Sequence, residues 1–188
     1  MRQDKNALGM VEYASVSSGL MAADLLSKSG VVHLHYAKPV SPGKFVVLFS
    51  GEISSVRAAI DAAERSCGSQ MIDSFLLGNP HEYVLEALAG SVSLEDGRAI
   101  GLVETFTIAA AITAADVLAK TADVVIHEIR MTTDMCGKAY VMVSGSVAAV
   151  TEAVRYAADR LRSQQTLRDT VILAAPSQEL LQGLRLEA

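Results

Sequence analysis

Four histidines and two cysteines are the side chains best suited to holding a metal or moving electrons, so their spacing is the first question. His33 and His35 alternate along an extended run of β-branched and aromatic residues, which puts both rings on one strand face as a possible metal pair. No acidic or thiol partner stands at ligand spacing, so they read as partly exposed strand histidines and no metal is expected. Cys67 and Cys136 lie far apart and form no CxxC pair, so neither a disulfide framework nor a structural zinc site follows. Glu12 and Glu104 are isolated carboxylates, read as structural hydrogen-bond acceptors and not as an acid–base pair. No nucleophile elbow, phosphate-binding glycine loop or HExxH pattern occurs, so no catalytic step is indicated.

The chain that must position these groups has 188 residues, 51% of them apolar and 20% charged, which is too apolar for a disordered chain. Its net charge of −5 is opposite in sign to the footprint of a nucleic-acid binder, so nucleic acid is not an expected partner. The longest charge-free run, Ala139 to Thr151, is well short of the roughly 20 residues that span a bilayer. Met1 to Asn6 carries Arg2, Asp4 and Lys5 without a secretory apolar core, and a cytoplasmic location is expected. A mean hydropathy of +0.31 is high for a chain that must solvate its whole surface; burial between subunits would account for it.

The sequence is written twice. ALGMVEY (Ala7 to Tyr13) lies on AIGLVET (Ala99 to Thr105), and MAADLLSKS (Met21 to Ser29) lies at the same offset on TAADVLAKT (Thr113 to Thr121). After a short insertion GKFVVLFSGEISSV (Gly43 to Val56) matches GKAYVMVSGSVAAV (Gly137 to Val150), and the tails match loosely on Pro80 and Pro176. The paired glycines, Gly43 with Gly137 and Gly51 with Gly145, bracket the same strand and mark positive φ or close backbone approach. The polar stretch Ser91 to Arg98 separates the copies, giving domains over 1–94 and 95–188. Each copy reads as strand, small-residue helix, two strands around a turn, helix, strand and short helix; in the first these are 8–13, 17–29, 31–38, 44–50, 53–67, 71–77 and the residues after Pro80. The order βαββαβα is an α+β sandwich in each half.

This doubled pattern, ALGMVE with a helical AAD, a lysine four residues beyond the Asp and the Gly-Lys turn before a VxxSG strand, resembles the shell proteins of bacterial microcompartments, of the tandem-domain trimeric type. The resemblance covers Ala7 to about Leu184. It implies two tandem ferredoxin-like domains, a homotrimer that imitates a hexamer, a structural role beside other shell proteins, and a central pore for small metabolites. The run PVSPGKF is most similar to the pore loop of the propanediol-utilisation tandem members, where a cysteine before Pro-Gly-Lys holds an iron–sulfur cluster. Here Ser41 stands in that place, and a hydroxyl is a poor ligand for such a cluster, so no cofactor is expected there.

In such a ring the resemblance puts Val40, Ser41, Pro42 and Gly43 from one half, and Thr133, Asp134, Met135, Cys136 and Gly137 from the other, around the opening. Three Asp134 carboxylates would disfavour anions, while the alternative is that Asp134 starts a turn. Cys136 is either a small buried thiol or, in the alternative reading of the chain as a redox conduit, a cluster ligand on the three-fold axis. Lys28 and Lys120 match the edge lysine that joins neighbouring rings, and Asn79, Pro80 and His81 match a second edge motif that Ala175 and Pro176 replace in the other half.

Overall fold

The computed structural model describes residues 7–89, 98–131 and 138–185. They form two compact units, one holding 7–80 and the other 81–89, 98–131 and 138–185. The first comprises β1 (Ala7–Tyr13), α1 (Val16–Ser29), β2 (His33–Val40), β3 (Lys44–Gly51), α2 (Ile53–Cys67) and β4 (Met71–Gly78). The second contains α3 (Glu82–Ala89), β5 (Ala99–Thr105), α4 (Ile108–Thr121), β6 (Val124–Arg130), β7 (Ala139–Gly145), α5 (Val147–Ser163), β8 (Leu167–Leu173) and α6 (Gln178–Arg185). Each sheet is four-stranded and antiparallel, ordered β2-β3-β1-β4 and β6-β7-β5-β8. The expected βαββαβα order is present in both halves, and the two sheets have one topology.

The local causes repeat as well. Ser15 and Thr107 stand at equivalent N-caps, where their hydroxyls accept from the N–H of Ser18 and Ala110 and start α1 and α4 alike. The first helix stops at Gly30, which adopts φ 68° and turns Val31 out to solvent. Strand β2 therefore begins at His33, two residues later than the β-branched run suggests.

All seven β1 residues are buried. Ala7, Val11 and Tyr13 pack with Phe45, Val47 and Phe49 of β3 against Ala22 and Leu26 of α1 and Val56, Ala59 and Ala63 of α2. Gly9 and Gly101 let a helix lie directly on the central strand: a Cβ at Gly9 would come within 2.6 Å of Val56 Cγ1, and one at Gly101 within 2.7 Å of Val150 Cγ1.

Tyr13 is fully buried and donates its hydroxyl to the Ala63 carbonyl at 3.3 Å. Burial first, and the nearby Cys67 second, push its phenol up to about 12 from 10.0. The folded chain therefore keeps this proton after the unfolded chain has lost it. Its contribution is fully present below pH 10 and is lost as the pH climbs toward about 12. Denaturant midpoints should fall steeply over that window, and Tyr13→Phe should shallow the fall.

Candidate functional site

The residues expected at the opening divide between described and undescribed parts of the chain. Between β2 and β3, Val40 is buried, Ser41 is half-buried, and Pro42 and Gly43 are exposed. The Ser41–Pro42 peptide is cis, and Gly43 has φ 87°, so the turn does need the left-handed conformation that glycine supplies. Thr133, Asp134, Met135, Cys136 and Gly137 lie outside the described residues. The donors at the first turn do not suit an iron–sulfur cluster: Ser41 brings a hydroxyl, and Pro42 and Gly43 bring no side-chain ligand.

Lys44, directly after this turn, has a partner that sequence reasoning missed. Its ammonium lies 3.0 Å from Glu12 Oε1, whose side chain is 3% exposed. At the matching place in the second half Glu104 meets Arg168 at 3.1 Å and Lys138 at 3.7 Å, with 23% of its side chain exposed. The lysine of each Gly-Lys pair thus neutralises the carboxylate of the first strand in its own half. Asp73, across from Glu12 in the β1–β4 register, is raised chiefly by burial; the Ser74 N–H and the Lys44 charge pull the other way.

The edge lysines each sit one helical turn beyond an aspartate. Lys28 Nζ lies 2.7 Å from Asp24 Oδ2, and Lys120 Nζ lies 2.7 Å from Asp116 Oδ2. This is the (i, i+4) geometry that the AAD-x-x-x-Lys spacing encodes. The first pair is out in solvent, whereas Asp116 is buried and also accepts the backbone N–H of His81 at 2.8 Å. Asn79 adopts φ 49°, a conformation its short amide tolerates, as the chain turns toward Pro80 and His81. Asp116 therefore ties His81 to the helix that carries Lys120.

The strand histidines stand at the same bulge in both sheets, and both form the same bond. His35 Nε2 and Ser50 Oγ are 2.6 Å apart, as are His127 Nε2 and Ser144 Oγ. His33 and His35 meet ring edge to ring face, with centroids 4.9 Å apart. Among the described residues no group of three or more His, Cys, Asp or Glu side chains is placed to hold a metal ion.

The BMC domain model matches the chain twice, over residues 7–80 and 99–176. The chain belongs to the BMC-domain family of microcompartment shell proteins. It is 33% identical over 174 residues to the bacterial microcompartment shell protein PduT of Citrobacter freundii, covering 93% of this chain and 95% of that protein. It is 30% identical over 86 residues to the carboxysome shell protein CcmK2 of Synechococcus elongatus, covering 42% of this chain and 84% of that one. Among solved structures, a microcompartment protein from Desulfitobacterium hafniense superposes with a TM-score of 0.87 at 36% identity, over 93% of this chain and 97% of that one. Membership of this family makes the chain a structural component of a microcompartment shell and not an enzyme. Among the described residues no helix is long and apolar enough to cross a membrane.

Proposed function

We propose that three copies of this chain close into a ring of six BMC modules, a tile of the shell, with Ser41 and Asp134 bordering an opening for small metabolites. The observation that supports this best is the shared topology of the two modules. Sheets of one topology, matched caps and matched Asp–Lys pairs let two modules of one chain occupy alternate places in a single ring. The half-exposed Ser41 hydroxyl can replace part of a polar solute's hydration shell, while an Asp134 carboxylate repeated three times disfavours anions, so neutral and cationic solutes pass more readily.

Neighbouring tiles join through Lys28 and Lys120, alongside the other shell proteins of the compartment. Each lysine extends from a helix C-terminal turn, held at its base by an aspartate, with an apolar stem that can lie along a neighbour. The exposed Lys28–Asp24 pair contributes only ~0.3–0.5 kcal/mol to folding, and the buried Asp116 carboxylate keeps the His81 N–H when Lys120 is shortened. Lys28→Ala with Lys120→Ala should therefore leave a folded trimer by sedimentation and abolish extended sheets or tubes in negative-stain electron microscopy. Sheets of unchanged extent would count against the edge role.

A further inference from the structure

Helix α3 ends the first sequence repeat, yet it packs on α4 and β6 of the second. Val84 and Ala87 are buried there, and the His81 N–H reaches Asp116. The ground beneath α3 is correspondingly dry: Ile108 and Ile112 of α4 are 1% and 0% exposed, and His127 and Ile129 of β6 are also buried.

The equivalent ground in the first module is bare. Val16 and Leu20 of α1, the counterparts of Ile108 and Ile112, are 41% and 62% exposed. His35 and Ala37 of β2 are exposed too, and the Asp24 side chain is 61% exposed where that of Asp116 is 8%. Helix α6, the repeat counterpart of α3, carries the complementary excess. It seats Leu181 against Ile100 and Met142 of its own sheet, but leaves Ser177, Glu179, Leu180 and Gly183 exposed. Their counterparts in the first tail, His81, Tyr83, Val84 and Ala87, are half-buried or buried. Leu180 is 41% exposed and Val84 0%.

Among the described residues α6 covers no further module, and no tail helix covers α1 and β2. A second copy supplies both. We infer that α6 of one copy seats on α1 and β2 of the next, placing Leu180 over Val16 and Leu20 and the Ser177 N–H on the Asp24 carboxylate, as α3 seats on α4 and β6. The contact is head to tail, so it propagates until the ring closes. Asp24 then accepts from Lys28 on one oxygen and from the neighbouring chain on the other, as Asp116 accepts from Lys120 and His81.

This seam rests on the ring proposed above, and the test separates the two. Asp24→Cys combined with Ser177→Cys should yield covalent trimers on non-reducing gels, since the matching His81 N–H and Asp116 Oδ1 are 2.8 Å apart. Neither single variant should do so. Leu180→Asp, at an exposed position, should keep native circular dichroism and sediment as a monomer where the native chain sediments as a trimer. A native trimer that survives Leu180→Asp and yields no interchain disulfide would overturn the seam and leave the ring standing. A native chain that is monomeric at every concentration would overturn both.

Discussion

Lys44→Met is expected to cost about 3–5 kcal/mol of unfolding free energy in the native chain, because it strands the Glu12 carboxylate in a site where only 3% of its side chain meets water. The methionine keeps most of the apolar stem, so lost packing contributes little to the change. The second module supplies the control. Glu104 is more exposed and meets both Arg168 and Lys138, so Lys138→Met leaves one cation in place and should cost under about 1 kcal/mol. Urea unfolding of the two variants reads the difference directly. Adding Glu12→Gln to Lys44→Met should recover most of the loss, because it removes the stranded charge. Equal costs in the two modules would mean that Glu12 is hydrated in solution.

The second large effect concerns one packing contact that the two modules solve differently. A Cβ at Gly19 of α1 would collide with Cβ and the ring of Phe45 on β3. The counterparts of Gly19 and Phe45 in the second module are Ala111 and Ala139, both fully buried. One side gives up its methyl where the other carries a ring. Gly19→Ala should therefore cost about 1–3 kcal/mol through overpacking, although alanine is the better helix former by about 1 kcal/mol. Phe45→Ala alone should cost about 3–5 kcal/mol. In the Phe45→Ala background, Gly19→Ala should be neutral or stabilising, giving a coupling of about 1–3 kcal/mol in a double-mutant cycle of thermal or urea unfolding. Additivity would show that the helix shifts freely on the strand.

These two contacts also mark where sequence reading reaches its limit. The fold was legible because duplication supplied a second reading of each element: Ser15 and Thr107 cap equivalent helices, and Gly9 and Gly101 admit equivalent valines. Of the bracketing glycines, Gly43, Gly51 and Gly145 were legible as well, while Gly137 lies outside the described residues. Gly43 takes positive φ, while Gly51 and Gly145 lie against the backbone carbonyls of Val31 and Asp123. The partners of Glu12 and Glu104 were not. Their lysines lie far along the chain, and only the β1–β3 and β5–β7 registers bring them alongside. Local spacing did encode the aspartate beneath each edge lysine, through the i, i+4 rule. That α3 serves the second module could not be read from the repeat, which aligns the tail with the sequence before it and says nothing of where it packs.

That placement of α3 also affects the response to dilution. In the proposed ring, half of the junctions between modules would form inside a chain, where the covalent link raises the effective concentration. Only the remaining junctions feel the bulk concentration. A ring of fused pairs therefore needs fewer encounters to nucleate than one built from single modules, and it should persist at dilutions where six separate pieces would already have parted.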